Sequence, residues 1–287
     1  MKTKTSLSHR SIEPENGVLY LVGTPIGNLA DISQRALNIL EKVFFIACED
    51  TRHTKRIMNT YKISNKMESF NSYNSFKKIP KIVDLLEDGK SIALVSDAGM
   101  PGICDPGEEL VRRTILTGHE VICIPGPCAA ITALVSSGLP SSKFIFEGFL
   151  PKKKIEREKI LLEISKCEKT TIIYESPHKI NKLLKELKEY CGGSRRIRVA
   201  RELTKKFEEH IGQNADELIE FFNNNEAKGE FTILVGGNLD KKNSTINNLI
   251  LKDELHELVG LGLTLSSASK YLAKKNNLSK RFIYNLY

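Results

Sequence analysis

Val18-Leu19-Tyr20-Leu21-Val22-Gly23-Thr24-Pro25-Ile26-Gly27-Asn28-Leu29 is an apolar run that stops on a turn of glycine and proline, and this junction recurs along the chain. Val43-Phe44-Phe45-Ile46-Ala47-Cys48 runs into Glu49-Asp50-Thr51-Arg52-His53, and Ser91-Ile92-Ala93-Leu94-Val95 runs into Ser96-Asp97-Ala98-Gly99. Val121-Ile122-Cys123-Ile124 ends at Pro125-Gly126-Pro127-Cys128-Ala129. Nearly continuous apolar runs of this length are strands covered on both faces, as parallel sheets require. Loops at the carboxyl ends of parallel strands are where an open α/β sheet builds a ligand site.

Helical periodicity fills the intervals. Asp31 followed by Gln34 is a capping box before Ile32, Ala36, Leu37 and Leu40, and a helix from Thr51 turns Ile57, Met58 and Tyr61 inward. Further helices are expected over 78–86 and over 107–117, the latter carrying Leu110, Val111, Thr114 and Ile115. Small residues over 129–134 form a helix able to approach a sheet or a ligand closely. The fold class is α/β: a doubly wound domain over 17–138, preceded by a leader over 1–16.

A second α/β domain is expected over 139–237. Its strands lie at 144–146, 170–174, 197–200 and 231–235; one helix carries Ile180, Leu183, Leu184, Leu187 and Tyr190, and Asn214 with Glu217 caps another. The ligand cleft then falls where the two domains face each other. Residues 238–250 read as a polar linker. Three short helices over 251–287, with Ala268, Tyr271 and Leu272 inward in the middle one, read as a helix-turn-helix or as a clip on the protein's own surface.

With 287 residues the chain has ample length for a buried core, and its formal net charge of +8 favours anionic partners or reflects a general lysine bias. The cysteines at 48, 104, 123, 128, 167 and 191 form no CxxC pair and have no histidine cluster beside them, so no metal is expected and reduced thiols are. No apolar h-region and no membrane-length apolar run occurs, which gives the expectation of a cytoplasmic location. Nucleophile-elbow, HExxH and calcium-loop signatures are missing, so covalent and metal-assisted hydrolysis rank low.

Each polar turn carries a functional and a plain reading. Asp97 accepts hydrogen bonds from a ligand or makes an Asx turn; Asp105 belongs to the same pocket or caps the next helix. Residues 125–130 lack the lysine of a P-loop and the spacing of a dinucleotide fingerprint, so they suit the uncharged part of a cofactor or a rigid turn. Gly27 is the point in its loop where backbone is expected to meet a ligand. Arg52 binds an RNA phosphate or anchors Asp50, with Asp50 or Thr51 as helix cap; His178 is a base or a surface residue, and Arg201 with Glu202 is a candidate ion pair.

Taken together, residues 19–29, 49–54, 95–99, Glu147-Gly148-Phe149-Leu150-Pro151, Tyr174-Glu175-Ser176-Pro177-His178 and Ala200-Arg201-Glu202-Leu203-Thr204-Lys205 resemble the bacterial 16S ribosomal RNA (cytidine 2'-O)-methyltransferase family of the tetrapyrrole methylase superfamily. The likeness spans about residues 17–237 in the same order. It implies two α/β domains holding S-adenosylmethionine between them, a homodimer, and methylation of a cytidine ribose in the decoding centre of 16S rRNA within the small ribosomal subunit. No membrane or DNA partner is implied. Carried over, the cofactor-binding residues are Pro25, Asp97, Ala98, Gly99, Pro127, Cys128, Ala129, Leu150, Tyr174, Ala200 and Gly229. The chain departs from the family's pattern at Met100, Gly102, Cys104 and Cys128, and lacks histidines over 71–74.

Methylating a weakly acidic ribose hydroxyl calls for a proton acceptor beside it. Candidates are Asp50 first, with Arg52 as positioner, then Glu49, His53, Glu202 and His178. Arg52, Lys55, Arg56, Lys205, Lys206, Lys274, Lys275, Lys280 and Arg281 are the expected RNA grip. Tetrapyrrole methylation on the same fold, and a noncatalytic RNA-binding or ribosome-assembly role, are the rival readings.

Overall fold

Leu19 and its neighbours form an inner strand of a five-stranded sheet, because a strand this apolar needs cover on every side. In a computed structural model describing residues 13–238, 248–276 and 278–287, β1 (Leu19–Val22) pairs in parallel with β4 (Ile92–Val95) and β5 (Val121–Ile124). β2 (Phe45–Cys48) pairs in parallel with β4 and with the short β3 (Met67–Ser69), giving the order β3-β2-β4-β1-β5. Of the leader expected over 1–16 only 13–16 fall within the described residues, and of the linker over 238–250 only 238 and 248–250.

Alternate strand residues serve opposite faces. Tyr20 and Ile46 pack with Ile39 and Leu40 of α1 (Gln34–Lys42) and Ile57 and Met58 of α2 (Thr51–Thr60). Leu19 and Phe45 pack with Ile79, Val83 and Leu86 of α3 (Ser75–Glu87) and Leu110 of α4 (Glu108–Leu116). Each such fully buried side chain contributes roughly 1.5–3 kcal/mol, which is what fixes a doubly wound arrangement. Two local expectations are corrected. Ser33, not Asp31, caps α1, accepting from the Ala36 amide at 3.0 Å, because Asp31 is held in a 3-10 turn (Leu29–Asp31) capped by Asn28. Ile115 is exposed on α4, whose buried positions are Leu110 and Thr114.

The second sheet has the order β6-β7-β10-β8-β9, from β6 (Phe144–Phe149), β7 (Thr170–Glu175), β8 (Ile197–Arg201), β9 (Glu209–Ile211) and β10 (Phe231–Val235). β6 and β7 are parallel; the other pairings are antiparallel, so this sheet is mixed. One face is covered by α6 (Lys154–Lys166), α7 (Ile180–Cys191) and α8 (Ala215–Asn224) through Leu161, Leu183, Leu187 and Leu218. Asn214 caps α8 as its spacing to Glu217 predicts, accepting from the Glu217 amide at 2.9 Å. The other face meets α5 (Ala129–Ser136), where Ala130, Ala133 and Leu134 lie against Ile172, Ala200 and Leu234. The small-residue helix that follows the first sheet is thus the piece that joins it to the second.

Met1–Gly237 and Asn238–Tyr287 cluster as two compact units. In the second, α9 (Asn248–Gly260), α10 (Leu265–Asn276) and α11 (Lys280–Tyr284) share a core of Leu251, Leu255, Ala268, Leu272 and Ile283. Tyr271, expected inward, is exposed, since Ala268 and Leu272 already fill the buried face of α10. Among the described residues no helix is long and apolar enough to cross a membrane.

Candidate active site

The carboxyl ends of β1, β2, β4 and β5 point to one side of the first sheet, and their loops are stitched to one another. Thr24 and Gly99 exchange backbone hydrogen bonds at 2.8 and 3.1 Å, while Asp97 Oδ1 accepts from the Asp50 amide at 3.0 Å. Gly23 and Gly126 pass so closely that a Cβ on Gly23 would lie 2.7 Å from Gly126 Cα. Only glycine permits that backbone approach, which brings the 125–129 turn against the first loop.

These loops form one wall of a cavity of about 440 Å³, and the second sheet supplies the other. From the first side Glu49, Asp97, Ala98, Gly99, Cys128 and Ala129 line it; from the second, Phe149, Tyr174, Leu203, Gly229 and Thr232. Asp97, Ala98, Gly99, Cys128, Ala129, Tyr174 and Gly229 were expected here. Four other cofactor candidates stand behind the wall: Leu150 and Ala200 are buried in the cores of the second sheet, Pro25 is buried, and Pro127 is outside the lining. Gly27 does not meet the cavity. A Cβ there would lie 2.5 Å from Lys205 Cγ, so its close approach is to the 203–205 loop.

Tyr174 ties the two walls together. Its hydroxyl accepts from the Ala130 amide at 2.9 Å, and its ring packs edge-on against Phe146 and Phe149 at 5.1 and 5.7 Å. Cys128 occupies the N-cap of α5 without making a side-chain cap bond, so this amide of the helix start is satisfied across the cleft instead. Burial pushes the Tyr174 phenol well above its ordinary range, which keeps it neutral.

The charged groups of the lining are carboxylates. Burial, then the neighbouring Glu49 and Asp97, raise Asp105 to about 6, with a hydrogen bond from Ser96 working in the opposite sense. Burial and Asp97 also raise Glu49. Glu175, buried on β7, is partnered by Arg157, whose buried side chain also binds Glu186 at 2.7 Å. Glu230 is held by Lys205 at 3.1 Å, and Lys205 in turn holds Glu202 at 2.8 Å. Among the described residues, no Lys or Arg lines the cavity.

The remaining candidates lie at the rim or beyond. Asp50 caps α2, accepting from the Arg52 amide at 2.8 Å, and its carboxylate takes the Arg52 guanidinium in a fork at 2.6–3.0 Å. Those hydrogen bonds hold Asp50 at about 2. Arg52 itself is 86 % exposed, and His53, Lys55 and Arg56 are exposed on the same helix. His178 is exposed rather than part of the lining. Arg201 pairs with Glu209 at 2.9 Å instead of Glu202. Lys206 rests on the ring of Phe207, and within the helical unit Lys275 is paired with Glu254 at 2.9 Å and Lys280 with the Ser266 hydroxyl at 2.7 Å.

Sequence reasoning missed Ile26, Met100, Ile103 and Phe231 as wall residues. Their apolar character gave no signal, although Ile26 and Met100 border turns already recognised. Chemically, the cleft offers apolar surface with carboxylates, of which Glu175 and Glu230 are paired from behind by Arg157 and Lys205 while Glu49, Asp97 and Asp105 are not so paired. It suits an organic molecule that carries positive charge.

Comparison with known proteins agrees with this geometry. The sequence pattern of the family described as Tetrapyrrole (Corrin/Porphyrin) Methylases matches residues 18–219. Proteins named ribosomal RNA small subunit methyltransferase I are similar over nearly the whole chain. The one from Vibrio cholerae is 45 % identical, covering 93 % of each chain; the one from Synechocystis is 42 % identical, covering 94 % of this chain and 97 % of its own. Among solved structures, a cobalt-precorrin-4 methyltransferase of cobalamin biosynthesis matches with a TM-score of 0.58 at 17 % identity, covering 77 % of this chain and 95 % of that one. The uroporphyrin-III C-methyltransferase of Thermus thermophilus gives 0.53 at 17 %, covering 77 % and 94 %.

Proposed function

The chain belongs to the tetrapyrrole methylase family, within the group of the ribosomal RNA small subunit methyltransferases I, and from that premise we propose that it transfers a methyl group from S-adenosylmethionine to the 2'-oxygen of a cytidine ribose in the decoding centre of 16S rRNA. The observation that carries the reading is a cleft with carboxylates and, among the described residues, no Lys or Arg in its lining, in a chain of net charge +8. Such a cleft repels phosphate and attracts a sulfonium and an ammonium group, while the surface around it favours RNA.

The residues present fit the methyl donor. Ile26, Leu203 and Phe231 give apolar surface for its adenine and thioalkyl parts, and the small Ala98, Gly99, Cys128 and Ala129 leave room for its bulk. Asp97 and Glu49 supply acceptors for its hydroxyl and ammonium protons. When bound, this donor brings an electrophilic methyl group on positively charged sulfur. The protein's own tasks are then to hold donor and ribose in line and to remove the hydroxyl proton.

Asp50, held at about 2, is too weak a base for that task and enters as the clamp that aims Arg52 outward. Arg52, Lys55 and Arg56 on α2, with Lys206, contact RNA phosphates in this reading; Lys205 instead belongs to the ion pairs with Glu202 and Glu230 that shape the Gly229 edge. Homodimerisation and action in the cytoplasm, where ribosomal subunits are assembled, are part of the same proposal. Incubating the protein with labelled S-adenosylmethionine and small subunits that lack the modification tests it. Label in the 2'-O position of one cytidine is expected; label only in a tetrapyrrole, or none despite donor binding, would refute it.

A further inference from the structure

A second cavity, of about 580 Å³, lies beside the first, and the two share Glu49, Cys104 and Asp105. On its far side it is lined by Phe70, Ser72, Ser75, Ile79, Glu108 and Glu109. Nothing in the account so far uses it. We propose that this cavity receives the acceptor nucleoside, and that Asp105, standing between nucleoside and methyl donor, takes the proton from the ribose hydroxyl. The inference rests on the methyltransferase reading above and names the acceptor side of the same site.

The cavity's chemistry matches a nucleoside better than a phosphate. Phe70 and Ile79 present apolar surface, the hydroxyls of Ser72 and Ser75 donate or accept, and the carboxylates of Glu108 and Glu109 can accept from an exocyclic amine such as cytosine's. No Lys or Arg is among its described lining residues, so the backbone phosphates belong outside, where α2, which follows Glu49 and Asp50, carries the exposed Arg52 at its second position. Next in sequence to the lining serines, Tyr73 and Phe76 are 96 % and 88 % exposed. Aromatic faces left in water are stacking surfaces for unstacked bases.

Asp105 is placed for the proton transfer by its position in both cavities. As the O–H bond breaks, the proton passes to the carboxylate; a lone pair on the ribose oxygen forms the new O–C bond, and the S–C bonding pair of the sulfonium stays on sulfur. The positive charge of the sulfonium and the negative charge of the carboxylate disappear together. Glu49 and Asp97 face Asp105 from the β2 and β4 loops; burial and these two acids keep its basicity above that of an ordinary aspartate, while a hydrogen bond from Ser96 works against them.

Asp105→Asn and the double variant Tyr73→Ala/Phe76→Ala test the proposal in the full chain. S-adenosylmethionine affinity is measured by calorimetry, binding of unmethylated small subunits is measured without the donor, and single-turnover methyl transfer is followed from pH 5 to 8.5. Asp105→Asn is expected to lower donor affinity by no more than a few fold, since Glu49 and Asp97 still face the donor, to lose about a hundredfold or more in rate, and to abolish the acidic limb expected near pH 6 in the unaltered protein. The double variant is expected to weaken subunit binding about tenfold with donor affinity unchanged. Unaltered rate in Asp105→Asn, a large loss of donor affinity in it, or undiminished subunit binding by the double variant would each overturn the inference while leaving the methyltransferase reading intact. Donor binding by the unaltered protein with no methyl transfer to subunits would overturn both.

Discussion

Asp50 and Asp105 are carboxylates at the same end of the first sheet with opposite electrostatics. Asp50 is met by the Arg52 amide and guanidinium and falls to about 2, so the stability it contributes is present above the ordinary aspartate range and is lost as pH falls towards 2. Asp105 is met by burial and two acids and rises to about 6. An acid raised in the folded state binds more protons than in the unfolded state between about 3.8 and 6, so folding is penalised increasingly across that window and fully above it. Asp105→Asn is therefore expected to stabilise the protein at pH 7.5 by about 1 kcal/mol after allowance for solvent screening, an advantage that disappears below about pH 4, as urea unfolding at both pH values will show. Asp97 has another task, receiving the Asp50 amide while lining the donor cavity. Asp97→Ala is expected to weaken S-adenosylmethionine binding by about 10- to 100-fold in calorimetry, the cost of losing one charged hydrogen-bond partner; unchanged affinity would remove Asp97 from the donor site.

At the scale of elements, α5 begins with a missing cap, and that gap is bridged by Tyr174 from the second sheet. Cys128→Ser supplies a local acceptor, and thermal unfolding is expected to show stabilisation of about 0.5–1 kcal/mol. Gly23→Ala, by contrast, drives a methyl group into the Gly126 backbone, and a loss of about 2 kcal/mol or more is expected, with donor affinity falling because the 125–129 turn must retreat. In the helical unit, Lys275 and Lys280 already have partners, whereas Lys274 and Arg281 are exposed. Neutralising Lys274 and Arg281 together is expected to flatten the salt dependence of subunit binding by about two in slope and leave donor binding alone; an unchanged slope would remove α10 and α11 from the RNA grip. The parallel strands, α7 and α8 were legible because their apolar residues recur with clear periods. α6 was not: its buried face includes Arg157, whose charge masks the stripe until Glu175 and Glu186 are seen around it. β3 and β9 are three residues each and carry little pattern. In the site, the acidic and glycine turns announced themselves, while the second cavity depends on Ser72, Ser75, Glu108 and Glu109, which come together only when α3 and α4 cover the same face.

Over the whole molecule, charge is divided by location. The chain is basic overall, yet among the described residues the charged groups lining its two adjoining cavities are all acidic. A uniform excess of lysine would not leave such a lining; a protein that must admit a cationic methyl donor and a nucleoside while keeping RNA phosphates outside would. The fold supports this division, since the carboxyl ends of the parallel strands build one wall and a mixed sheet, reached through α5, builds the other. The shared architecture with porphyrin and corrin methyltransferases extends to the fold, whereas the near full-length likeness is to enzymes named for ribosomal RNA. The most direct measurement is a map of ribose methylation along small-subunit RNA from cells with and without this protein. One cytidine in the decoding centre is expected to lose its 2'-O-methyl group when the protein is missing and to regain it when the gene is restored; identical maps in both cells would contradict the account.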